Sequence, residues 1–132
     1  MITPKKVRVF VRDVLNNERK HNQDLDLLIQ DFKRYKEGDR VNYFGKDVPY
    51  HEPRPYAENA GLRHVHILDR VKVVRFGAGN TSDAALIYTE GATSINTYYL
   101  IDFIPSGAHA AVQEDSYMRW LIRTAEDFRN KM

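Results

Sequence analysis

The spacing of apolar residues changes period several times along this chain, and the order of those changes limits the folds open to it. Residues 5–12 alternate Val7, Val9 and Val11 with Arg8, Phe10 and Arg12, the period-two pattern of a half-buried strand. The polar stretch 13–23 reads as a connection holding at most a helical turn. Leu25, Leu28, Ile29, Phe32 and Tyr35 then recur at helical spacing, with Asn22 or Asp24 placed to cap the start and Gly38 to end the helix. Residues 39–61 carry Pro49, Pro53 and Pro55 among scattered aromatics and charges. Proline breaks helices and donates nothing to a ladder, so this stretch is expected to be a long ordered loop or a short irregular hairpin, with edge pairing at best.

Strand patterns return at 64–68, 71–76, 85–89 and 98–104, separated by the turn-rich Gly77-Ala78-Gly79-Asn80 and Glu90-Gly91. An antiparallel sheet is the economical arrangement. Asp115 or Ser116 opens a last helix whose apolar stripe is Met118, Leu121, Ala125 and Phe128. The expected fold class is therefore α+β: an antiparallel sheet with an N-terminal and a C-terminal helix packed on it, in one domain over residues 1–132.

Composition narrows the function classes. The chain has no cysteine, which removes disulfides, thiolate metal sites and a cysteine nucleophile, and suits a reducing cytoplasm. Nothing in the first dozen residues resembles an apolar signal core, and no run approaches the roughly 18 apolar residues of a membrane span, so a cytoplasmic protein without membrane contact is expected. Lys and Arg outnumber Asp and Glu by 16 to 11 over residues 1–80 and trail them by 4 to 7 over 81–132. Such asymmetry is compatible with phosphate binding and with a solvated basic surface alike.

His64 and His66 lie two apart on a predicted strand, hence on one face, with Cα atoms about 6.5–7 Å apart. That spacing suits two reagents flanking a phosphate: one imidazole to take a 2′-hydroxyl proton, the other to protonate the leaving 5′-oxygen or hold the phosphate. Two other readings stand beside it. The pair can be ordinary surface or core histidines, or it can ligate a metal with help from His109, His51, Asp69 or Asp83, though the spacing singles out no third ligand. In the loop, Lys46 offers a cation for phosphate, Tyr50 or Phe44 a plane for base stacking, and Asp47 a carboxylate to orient a histidine or cap local N–H groups. Arg54, Arg63, Arg70, Lys72 and Arg75 surround the histidines in sequence and are candidates for stabilising phosphoryl charge. The Gly77-Ala78-Gly79 run lacks the setting of a nucleotide fingerprint, and the serines show no nucleophile elbow.

In their order and spacing, several segments together resemble the YafO family of bacterial type II toxins, relatives of the RelE-like ribosome-dependent mRNA interferases. These are Asp31-Phe32 with Tyr35-Lys36, Phe44-Gly45-Lys46-Asp47 with Tyr50, His64-Val65-His66-Ile67, Leu86-Ile87-Tyr88 with Gly91-Ala92, and Ala125-Glu126-Asp127-Phe128-Arg129. The resemblance implies a RelE-like fold and a toxin that cuts mRNA on the ribosome, uses no cofactor and is held inactive by a cognate antitoxin. It also implies that Lys46, Asp47 and Tyr50 share a site with His64 and His66, with Asp83 and Arg129 matching less closely. The chain departs from the expected pattern in having lysine at position 46 and a proline-rich 49–55 stretch; lysine keeps the charge but loses bidentate phosphate geometry. The site residues expected on these grounds are His64, His66 and Asp47 for catalysis and Lys46, Tyr50, Arg54, Arg63, Arg75 and Arg129 for RNA, with no metal. The rival function is a non-catalytic ribosome- or RNA-binding inhibitor of translation.

Overall fold

A computed structural model of the chain describes residues 5–68 and 83–132. Its elements run β1 (Arg8–Val11), α1 (Asp13–Glu18), α2 (Gln23–Lys36), β2 (Phe44–Pro49), α3 (Tyr56–Asn59), β3 (Arg63–Ile67), β4 (Ala84–Glu90), β5 (Thr97–Ile104), α4 (Ala108–Gln113) and α5 (Asp115–Lys131). This is the expected mixture of sheet and terminal helices. The sheet has five strands in the order β1-β5-β4-β3-β2. β2 to β5 are antiparallel neighbours, whereas β1 joins β5 in parallel, in register from Arg8 opposite Thr97 to Val11 opposite Leu100. Alternation identified β1 as a strand, but strand direction depends on how the chain returns. Here α1 and α2 carry it from one edge of the sheet to the other.

Both faces of the sheet are covered. On one, Leu25, Leu28, Ile29 and Phe32 of α2 pack on Val65, Ile67, Leu86, Tyr88 and Leu100. On the other, Met118, Leu121, Ile122 and Ala125 of α5 pack on Ile87, Ile101 and Leu62. β4 lies between the two layers, which is why Ala84-Ala85-Leu86-Ile87-Tyr88 is continuously apolar and buried instead of alternating.

Local signals set the helix ends. The Asn22 side chain accepts the Leu25 N–H at 3.1 Å, and Gly38 follows the last turn with a positive φ of 112°. Asp24 and Asp26 lie in the first turn of α2 and Lys33, Arg34 and Lys36 in the last, complementing the helix dipole. Before α5 it is Glu114, one residue ahead of the expected start, whose carboxylate accepts the Ser116 and Tyr117 N–H groups. Phe128 completes the α5 stripe by stacking on Tyr99, with centroids 4.9 Å apart.

The proline-bearing segment supplies the expected edge pairing and adds a short helix that its composition does not predict. β2 forms an edge strand on β3, with an irregularity between Phe44 and Asp47, and ends at Pro49, whose missing donor costs little on an outer edge that has no partner among the described residues. α3 then seats Ala57 and Ala60 against the α5 layer. The strand expected at 71–76 lies outside the described residues.

Candidate active site

On β3, strand alternation sends Val65 and Ile67 into the α2 layer and His64 and His66 to the opposite face. There the two imidazoles meet edge to face, with centroids 4.8 Å apart. Tyr50 stacks on the other side of His64 at 4.0 Å and 14°, giving a row of three rings. The row borders a cleft of about 790 Å³. Its floor includes Lys46 and Val48 of β2, His64, His66 and Ala85; its wall is Ala108, His109 and Val112 of α4 with Met118 of α5. A cleft of this size is in the range that holds a small-molecule- or nucleotide-sized group.

The expectation that the two histidines flank one phosphate does not fit this geometry. Each N–H···O contact needs about 2.7–3.2 Å, and rings already touching leave no gap for a phosphoryl group between them. Here the two rings lean together across the pleat, so same-face placement brings contact instead of clearance.

Burial, with the neighbouring His66 adding to it, lowers the His64 pKa to about 4, and the charge of Asp47 only partly opposes the shift. His64 Nδ1 is buried and has no hydrogen-bond partner among the described residues. Neutral imidazole is therefore the form the fold accommodates, with a consequence for stability. Because the folded-state value lies below the ordinary 6.5, the unfolded chain binds more protons between these values. His64 then contributes stability that is fully present above pH 6.5 and lost as pH falls towards 4. Urea unfolding from pH 7 to pH 4 is expected to show a decline in midpoint that His64→Phe reduces; an equal decline in that variant would remove His64 as its source.

Asp47 is not in this cleft. It follows Lys46 on β2, so alternation turns it to the α2 face. There Oδ2 accepts from the Tyr35 hydroxyl at 2.8 Å and from Lys36 Nζ at 3.1 Å, and Oδ1 accepts from the Tyr88 hydroxyl at 2.6 Å. Arg63, also on that face, donates to the Asp47 carbonyl at 2.9 Å and to the Tyr88 oxygen at 3.2 Å. Lys36 Nζ lies 4.6, 4.9 and 5.1 Å from the ring centroids of Tyr88, Tyr98 and Tyr35. Burial works against the Asp47 carboxylate, but the Tyr88 hydrogen bond and the Lys36 charge hold it below the usual carboxylate range. Burial also lowers Lys36, against the pull of Asp47, and raises the Tyr88 hydroxyl. The expected grouping of Asp47 and Arg63 with the histidines is thus split by the sheet itself.

Other expected site residues fall elsewhere. Arg129 donates to the Glu90 carbonyl at 3.1 Å and lies over Gly61, whose φ of 66° and missing side chain leave room for the guanidinium. It ties α5 to the end of β4. Arg54 is exposed and pairs with Glu52 at 3.2 Å. Arg75, Arg70, Lys72 and Asp69 lie outside the described residues. His51 pairs with Glu58 at 3.4 Å, and the Asp83 carboxylate accepts the His109 main-chain N–H at 3.1–3.2 Å. Among the described residues, no group of three or more His, Cys, Asp or Glu is placed to hold a metal ion. The Lys36 cage was missed because nothing in Tyr35-Lys36 signals that the ammonium turns inward. Sequence reasoning considered His109 only as a metal ligand.

Residues 33–130, from the last turn of α2 to nearly the end of α5, match a family model for toxins of type II toxin-antitoxin systems. That family is described as Toxin YafO, and the chain belongs to it. Family membership brings with it a cognate antitoxin as partner. No curated protein and no solved structure matches the chain. Among the described residues, no helix is long and apolar enough to cross a membrane.

Proposed function

We propose that this toxin is a ribosome-dependent endoribonuclease that cuts mRNA in the cytoplasm during translation, and that the cleft beside His64 and His66 is where it cuts. The observation that carries this reading is the Tyr50-His64-His66 row beside Lys46 on the floor of a nucleotide-sized cleft, in a chain of a toxin family. Each part has a role in metal-free RNA cleavage. His64, neutral near pH 7, accepts the 2′-hydroxyl proton. His66 touches its edge and keeps that ring in place. Lys46 meets the non-bridging phosphoryl oxygens, where negative charge grows in the transition state. Tyr50 holds the imidazole row in place by stacking. The RNA products are a 2′,3′-cyclic phosphate and a 5′-hydroxyl end.

Mapping of mRNA 5′ ends after toxin induction, with translation running and with initiation blocked, tests the proposal. New 5′-hydroxyl ends within translated codons, lost when initiation is blocked and unaffected by chelator in extracts, are expected. Arrest of translation without new ends would instead establish a non-catalytic inhibitor that occupies the ribosome, and chelator-sensitive cleavage would establish a metal-dependent enzyme.

A further inference from the structure

We propose that His109 is the proton donor to the leaving oxygen, acting from the far wall of the cleft; this rests on the reading of the cleft as an RNA-cleaving site. Transesterification at an RNA phosphate is an in-line displacement. The 2′-oxygen forms a bond to phosphorus as its proton passes to His64, while the P–O5′ bond breaks on the opposite side and O5′ takes a proton from the acid. Base and acid must therefore stand on opposite sides of the phosphorus. His64 and His66 cannot do so as a couple, since they share one strand face and their rings touch. They serve one end of the reaction, and the other end needs a donor from a different element.

Among the described residues lining the cleft, two further imidazoles come from other elements, His51 and His109. His51 adjoins Tyr50, on the β2 side of the row, and is engaged with Glu58. His109 comes from α4, a different element that lines the same cleft, and is exposed. Its main chain is also fixed. The Asp83 carboxylate holds the His109 N–H at 3.1–3.2 Å, and the Asp83 carbonyl accepts the Ala108 N–H at 3.1 Å. Asp83 immediately precedes β4, the strand paired with β3, where Ala85 lies opposite His66. The first turn of α4 is thereby stapled to the sheet that carries the other two histidines. This fixes the main chain of a third histidine on the lining of the same cleft.

The test uses ribosomes programmed with an mRNA whose mapped cleavage linkage carries either the natural 5′-oxygen or a single bridging 5′-sulfur. A thiolate leaves without a proton, so an enzyme lacking only its acid still cuts the sulfur linkage. His109→Ala is expected to cut the oxygen linkage about 100-fold or more slowly and the sulfur linkage within a few-fold of the unaltered toxin, whereas His64→Ala is slow on both. His109→Gln, polar and of similar size, should behave like His109→Ala with an unchanged melting temperature. If His109→Ala and His109→Gln are fast on both linkages, or equally slow on both, His109 is not the acid. If the unaltered toxin leaves both linkages intact, it is the reading of the cleft as an RNA-cleaving site that fails.

Discussion

A toxin in which His64 and His66 are both alanine is expected to cut mRNA at least about 100-fold more slowly than the parent, the lower end of what one acid–base group supplies. The two rings touch, and in the proposed mechanism they serve one end of the displacement, so the double variant should be little worse than His64→Ala alone; residues acting as a unit do not add. Primer extension on programmed ribosomes measures the rates, and a melting curve shows whether the fold survives. It should survive, because the imidazoles are only half-buried. Parental rates in a folded double variant would sink the assignment of the cleft.

The second large effect concerns stability. Asp47→Ala is expected to destabilise the fold by about 3–5 kcal/mol, the usual consequence of leaving a buried ion without its partner. The Asp47 and Lys36 side chains are 13 % and 15 % exposed, and the Tyr35 and Tyr88 hydroxyls would lose their acceptor as well. Lys36 is already pushed down by burial, so without Asp47 it titrates lower still. A lysine depressed in the folded state favours the fold more as pH rises, so the deficit of the variant should shrink between pH 7 and pH 10. Asp47→Leu with Lys36→Met should recover much of the loss, since an apolar pair can replace a buried ion pair at little cost. Urea unfolding measures all three. Cleavage per folded molecule should change by only a few-fold. An Asp47→Asn variant of parental stability that no longer cuts RNA would overturn the separation of Asp47 from the cleft.

The contrast between these two variants marks how far the sequence could be read. Period-two spacing identified β3 and set His64 and His66 on one face, and helical spacing with Asn22 and Gly38 bounded α2. The same period-two rule, applied to Lys46 and Asp47, sends neighbours to opposite faces. Proximity and family pattern group the two, and the prolines leave open whether 44–49 forms a strand; only the formed edge strand β2 separates them. Other features lie beyond any local pattern. The parallel pairing of β1 depends on residues 89 apart in the chain, as in the contact of Arg12 Nε with the Ile101 carbonyl. The Lys36 cage needs α2, β2, β4 and β5 together. The place of His109 on the lining of the cleft needs Asp83 to reach α4. Each joins elements through tertiary contacts that spacing along the chain does not encode.

The pairing of the first strand with the last also bears on when the toxin comes into being. β1 is synthesised early, but its neighbour among the described strands, β5, emerges much later, and the wall of the cleft follows later still, on α4 and the start of α5. A nascent chain halted before residue 108 holds the β3 histidines but encloses nothing around them. Assembly that waits on contacts so distant in sequence is slow and late. The histidines of β3 are therefore made well before the α4 and α5 residues that wall the cleft beside them.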